Sequence, residues 1–96
     1  MITILAFMKA LPGKENELAE VCALLANEVK VNEKGNFMYK VHVAAADPSE
    51  FILVEKYEDE QALEIHRNTA YLKEAKVKFQ TLLAVPLQLK FLNELE

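Results

Sequence analysis

Two side chains with acid–base chemistry, Glu55 and His66, stand in one short stretch that runs from Phe51 through Tyr57 to His66. Its first half reads as an apolar strand and its second as a helix, so a carboxylate and an imidazole can face one small pocket. A carboxylate set among Phe51, Ile52, Leu53 and Val54 is costly to bury unpaired, so Glu55 must reach a donor. His66 and a backbone amide are the two candidates. With His66 as partner, Glu55 fixes the tautomer while the second ring nitrogen addresses a ligand, the arrangement of a general base. With a backbone amide, Glu55 is a structural clamp.

His66 follows Leu63 by three residues and Ala62 by four, which puts it on the apolar side of its helix. Two readings stand: a core histidine satisfied by a neighbouring carboxylate or carbonyl, or a general base in a small apolar pocket. Tyr39, Tyr57 and Tyr71 supply phenols that could hydrogen-bond a quinone or hydroxyl oxygen, and each is also a good packing residue. Tyr57 sits where burial is expected. Tyr71, just past His66 near a presumed helix break, is the better candidate for a pocket wall. His42 shares a strand parity with Lys40 and is expected in solvent.

No Gly-rich phosphate loop, Gly-x-Ser-x-Gly elbow, paired histidines at ligand spacing or Cys-x-x-Cys pair occurs in the sequence. With histidines only at 42 and 66, the sequence points to no metal site.

The elements that must position these groups follow from periodicity. Ile2 to Lys9 is a first strand, closed by the turn pair Pro12-Gly13. Leu18, Val21, Cys22, Leu25 and Val29 recur at three- and four-residue spacings, with Glu15, Glu17 and Glu20 near the positive end of the dipole: an amphipathic helix of about four turns. After a turn over 32–36, the strand Phe37 to Val43 places Phe37, Tyr39, Val41 and Val43 on one face and His42 with Met38 and Lys40 on the other. A loop over 47–50 returns the chain antiparallel into Phe51 to Tyr57, forming a hairpin. Asp59 can cap a short helix, Asn68-Thr69 breaks it, and Leu72, Ala75, Phe79, Leu82 and Leu83 continue the buried stripe. Val85 to Phe91 alternates as a final strand, with Pro86 suited to its start or to an edge.

Strand, helix, strand, strand, helix, strand is a ferredoxin-like split βαβ order, an α+β fold expected to occupy residues 1–96 as one domain. Two helices cover only one face of a four-stranded sheet. Yet the strand over 51–57 is apolar on both parities, with Phe51, Leu53 and Tyr57 on one and Ile52 and Val54 on the other. The uncovered face predicts sheet-to-sheet packing with a second copy, a homodimer.

Composition bounds the function. The chain has 96 residues, 52% hydrophobic and 27% charged, the balance of an ordered globular domain. A domain this small buries only about 60–65% of its unfolded surface, which also favours sharing a core with a partner. Its formal charge of −4 matches a polyanion such as DNA or RNA poorly. The single Cys22 excludes an internal disulfide and agrees with a reducing compartment; packing is its expected role. The apolar N-terminus lacks a basic leader and gives way to Lys9 after a strand's length, so neither export nor a membrane span is expected and a cytoplasmic location follows.

The chain resembles the antibiotic biosynthesis monooxygenase family, quinol monooxygenases included, over nearly its whole length. The residues that carry the resemblance are Pro12 to Glu15, the turn Glu33 to Asn36 with Tyr39 after it, Asp47-Pro48, and Phe51 through Glu55 and Tyr57 to Ala62 and His66. The resemblance implies a dimeric α+β barrel with a mainly apolar cavity in each subunit. It also implies oxidation of a quinol-like or phenolic small molecule by molecular oxygen without metal or flavin, with Glu55 and His66 matching the family's strand glutamate and helix histidine.

Where many members continue with Ser-Pro-His-Phe, this chain has Thr69-Ala-Tyr-Leu72, so Tyr71 stands in place of a second histidine. Haem-degrading relatives use a helix tryptophan and a downstream histidine; this chain has no tryptophan and has Lys76 near that histidine's place, which argues against haem. Two other classes stay open on the same fold. One is an isomerase or processing enzyme for a small phosphorylated signal molecule, to which Lys40, Arg67 and Lys73 could contribute. The other is a non-catalytic dimer that binds a small molecule.

Overall fold

A computed structural model describes residues 1–95. Its elements run β1 (Ile2–Lys9), α1 (Glu15–Asn32), β2 (Asn36–Ala44), β3 (Asp47–Tyr57), α2 (Glu60–Arg67), α3 (Ala70–Leu82) and β4 (Gln88–Asn93). The strands form one antiparallel sheet in the order β2-β3-β1-β4, the ferredoxin-like arrangement, with β2 and β4 as its edges.

The helices cover one face. Ile4, Ala6 and Met8 of β1 and Phe51, Leu53 and Tyr57 of β3 are buried on that side, because strand side chains alternate and these share a parity. Against them pack Leu18, Cys22, Leu25 and Val29 from α1 and Leu72, Ala75, Phe79 and Leu82 from α3, as the helical stripes require. Cys22 is fully buried, and burial pushes its thiol up to about 12. The opposite parity, Leu5 and Phe7 with Ile52 and Val54, is half-buried and belongs to neither buried core cluster.

Local chemistry sets the boundaries. Gly13 in the turn before α1 has φ +85°, a conformation that favours glycine. Asp59 accepts from the Ala62 backbone N–H at 2.9 Å and Thr69 accepts from that of Leu72 at 3.4 Å, so each caps its helix and the break between α2 and α3 falls at Asn68-Thr69.

Several expectations need correction. The hairpin turn is Ala45-Ala46, and residues 47–50 belong to β3 instead of forming a loop. Asp47, the turn former of the sequence, is occupied otherwise: it accepts from the Ser49 amide at 3.0 Å and pairs with Lys9 at 2.5 Å, contacts that hold its carboxyl well below the usual range. Phe37 and Val43, expected on one face of β2 with Tyr39 and Val41, are 54% and 49% exposed. Phe37 is the extra residue where the register shifts between Asn36 and Met38, whereas Val43 stays in register opposite the buried Phe51 and is exposed because β2 is an edge strand. Helix α1 runs to Asn32, a turn longer than its apolar stripe.

Candidate functional site

The centre of the site is His66, 5% exposed in the last turn of α2. Its Nδ1 lies 3.1 and 3.0 Å from the two carboxylate oxygens of Glu33, so Nδ1 carries the proton that this acceptor takes. Nε2 is left on the other side of the ring, 3.9 Å from Glu55 Oε1. Glu55 in turn accepts a hydrogen bond from the Tyr57 hydroxyl at 2.7 Å. The partner of Glu55 is therefore a phenol two residues along its own strand. Neither candidate weighed from the sequence, the imidazole or a backbone amide, is at hydrogen-bonding distance among the described residues.

Glu33 is the residue that sequence reasoning missed. It follows the end of α1 as its C-cap, with its backbone N–H on the Val29 carbonyl at 2.9 Å. Its side chain continues the buried stripe of Leu18, Cys22, Leu25 and Val29 one turn further, which is the signal the sequence contained. The turn that carries it is pressed against α2. A Cβ on Gly35 would stand 2.5 Å from Cβ of Ala62, so only glycine allows this approach, and the Gly35 carbonyl accepts from the Glu58 amide at 2.8 Å. The side-chain hydroxyl of Tyr71, at the start of α3, donates to Glu33 Oε2.

His66 and Glu55 share the wall of a cavity of about 220 Å³ between the sheet and the helices. Its lining is otherwise mainly apolar: Ile4, Ala6 and Leu53 from the sheet, Leu63 and Phe79 from the helices, and Leu89 and Phe91 from β4 among others. Leu89 and Phe91 share the inward parity of β4 yet are 50% and 52% exposed, because no helix reaches over that edge of the sheet.

The three tyrosines part company. Tyr39 lines the cavity, its ring 5.8 Å from that of His66. Tyr57 is fully buried with its ring 5.2 Å from the imidazole and holds Glu55. Tyr71 reaches Glu33 and lines a separate groove between α1 and α3 instead of the cavity. His42 is exposed. Of the cations considered for a phosphorylated ligand, Arg67 lines the cavity while Lys40 and Lys73 do not, and Lys76 joins it.

Electrostatics follow from burial. Desolvation holds the Glu55 carboxyl above the usual range and the charge of Glu33 adds to it, while the Tyr57 hydrogen bond and His66 oppose the shift. Desolvation also raises all three phenols, so they stay protonated donors. The described residues contain no cluster of three His, Cys, Asp or Glu side chains able to hold a metal ion. No described helix is long and apolar enough to cross a membrane.

A ferredoxin-like split βαβ sheet thus backs an apolar cavity whose wall carries one imidazole and one carboxylate. The chain belongs to the antibiotic biosynthesis monooxygenase family, whose model matches residues 1–78. It is 30% identical over 87 residues to the Bacillus subtilis (strain 168) protein named "Putative monooxygenase YcnE", covering 91% of this chain and 90% of that one. Among solved structures, one titled "putative antibiotic biosynthesis monooxygenase" from Caulobacter crescentus superposes with a TM-score of 0.94 at 28% identity, covering 99% of this chain and 90% of its own. A Pseudomonas aeruginosa structure gives 0.91 at 26%, covering 99% and 94%.

Proposed function

We infer that the chain is a cofactor-independent monooxygenase that oxidises a quinol-like or phenolic small molecule with O2. The observation that carries this reading is the buried imidazole whose Nδ1 is held by Glu33 and whose other nitrogen stands beside Glu55, both His66 and Glu55 lining the apolar cavity. Family membership supports the oxidative class.

In this mechanism a phenolic hydroxyl enters among apolar walls and gives its proton to His66 Nε2. Glu33 stabilises the imidazolium that forms, and Glu55 keeps the ring and the substrate hydroxyl in register. The electron-rich phenolate reduces O2 and recombines with it at a ring carbon. Returning the proton lets the resulting peroxide break down, so that one oxygen atom stays on the ring and the other leaves as water. All the electrons come from the substrate. At about 220 Å³ the cavity is smaller than the roughly 300 Å³ at which drug-sized pockets begin, which suits a molecule of one or two rings.

Oxygen uptake by metal-free protein over a panel of hydroquinones, corrected for autoxidation, tests the reading. Uptake that His66→Ala abolishes while the fold survives is the expected result. Product formation without oxygen consumption would point to an isomerase, and saturable binding without product to a binding protein. The half-buried face of Leu5, Phe7, Ile52 and Val54 supports a homodimer joined sheet to sheet; a monomeric mass at micromolar concentration by light scattering refutes that assembly.

A further inference from the structure

The mouth of the cavity carries charge that the His66 centre does not use. Among the lining residues the one acid is Glu55, which is 6% exposed and tied to Tyr57 at the inner end. Two cations line the same cavity, Arg67 at the end of α2 and Lys76 on α3, and both are exposed. Lys76 forms no salt bridge among the described residues. Arg67 makes one loose contact, 3.4 Å to Glu64 on its own helix, where both side chains are largely in solvent. The chain as a whole has 15 acidic residues against 11 Lys and Arg, so a lining of two cations and one buried acid runs against its overall balance.

The cavity is thus polarised. Its inner end offers an imidazole and a carboxylate, which accept protons and of which the carboxylate repels an anion; its outer end offers a guanidinium and an ammonium, which attract one. Between them lie only apolar walls and the Tyr39 ring. We propose that the site takes a hydroxylated aromatic carboxylate, its phenolic hydroxyl turned inward to His66 and Glu55 and its carboxylate outward to Arg67 and Lys76. The two ends together fix which way round the ring enters, a task the apolar walls cannot perform. The inward hydroxyl rests on the functional reading above; the anion at the rim does not.

The test is calorimetric binding under anaerobic conditions, so that turnover plays no part. The probes are 2,5-dihydroxybenzoate and hydroquinone, which differ only by the carboxylate, with phenyl phosphate as a third. Two partly solvated charge pairs give an expected preference of about 5- to 10-fold for 2,5-dihydroxybenzoate over hydroquinone, shrinking as ionic strength rises. Arg67→Gln combined with Lys76→Gln should reduce that preference to near unity while leaving hydroquinone affinity and the circular dichroism spectrum unchanged. Equal or tighter binding of hydroquinone by the unaltered protein, or a preference that survives the double variant, overturns the proposal. So does tighter binding of phenyl phosphate than of the carboxylate, which would assign the rim to a phosphoryl group. A carboxylate preference that depends on both cations, found without oxygen uptake, upholds the rim and removes the oxygenase reading; uptake with no such preference does the reverse.

Discussion

Replacing Glu33 by alanine withdraws one acceptor from two donors. His66 Nδ1 lies 3.0 and 3.1 Å from the Glu33 oxygens in a residue only 5% exposed, so solvent cannot replace the lost partner. An orphaned buried N–H costs about 1–3 kcal/mol. Tyr71 is half-buried and its hydroxyl can turn to water, so its share is the net value of one hydrogen bond, about 1 kcal/mol. Together the two terms give about 2–4 kcal/mol, a large part of the 5–15 kcal/mol that holds a typical domain. Removing a buried charge near Glu55 acts the other way, but every oxygen of Glu33 is partnered, so the hydrogen bonds decide the sign.

Urea unfolding followed by circular dichroism reads the effect: with a slope of about 2 kcal/mol per molar, the midpoint should fall by about 1–2 M. Glu33→Gln keeps an oxygen for Nδ1–H and an amide for the Tyr71 oxygen, and should recover most of the loss. A midpoint that Glu33→Ala leaves unchanged or raises, or a glutamine variant as damaged as the alanine one, would refute the reasoning.

The Glu55 carboxyl is raised by burial, so in the folded protein it still holds a proton that the unfolded chain has released; its contribution is present below the ordinary glutamate range and lost as pH climbs through the raised value. Glu55→Gln should therefore flatten the pH profile of the urea midpoint and exceed the unaltered protein on its alkaline side; superimposable profiles would count against it. At Gly35 an added methyl would meet Ala62 Cβ at 2.5 Å, so Gly35→Ala should destabilise by about 1–3 kcal/mol. Adding Ala62→Gly makes room and should leave only the cost of a helical glycine, about 1 kcal/mol; a double variant less stable than Gly35→Ala alone would contradict the contact.

Much of the fold was legible because periodicity is a local property. The bounds of β1, the stripes of α1 and α3, the Asp59 cap and the Asn68-Thr69 break all follow from residues within a few positions of one another. The hairpin turn was not, since Ala45-Ala46 carries no glycine, proline or asparagine signal while Asp47-Pro48 does. The outward turn of Phe37 comes from a register shift against β3, which is a pairing event and leaves no mark in the β2 sequence. At the site, the inward parity of Glu55 and His66 could be read, and the four-residue step from Val29 to Glu33 extends the buried stripe of α1, but that this carboxylate meets the imidazole could not be read. Glu33 lies in a polar turn, and its direction is decided by the approach of Gly35 to Ala62 across the fold. Tyr57 reads as a packing residue or a phenol for a ligand oxygen, and its hydroxyl supplies the donor that Glu55 required.

The burial of Cys22 bears on how the protein would survive the oxygen chemistry proposed for its cavity. With its thiol pushed up to about 12 by burial, Cys22 stays protonated at neutral pH, and the sulfur is closed off from solvent. A peroxide escaping from the cavity would thus find no reactive thiol to convert into sulfenic acid. The sulfur-bearing residue in the cavity wall is Met8, where oxidation would add a polar oxygen to an apolar lining. Sulfoxide accumulating at Met8, with Cys22 left reduced, would be an internal record of oxygen activated inside the protein.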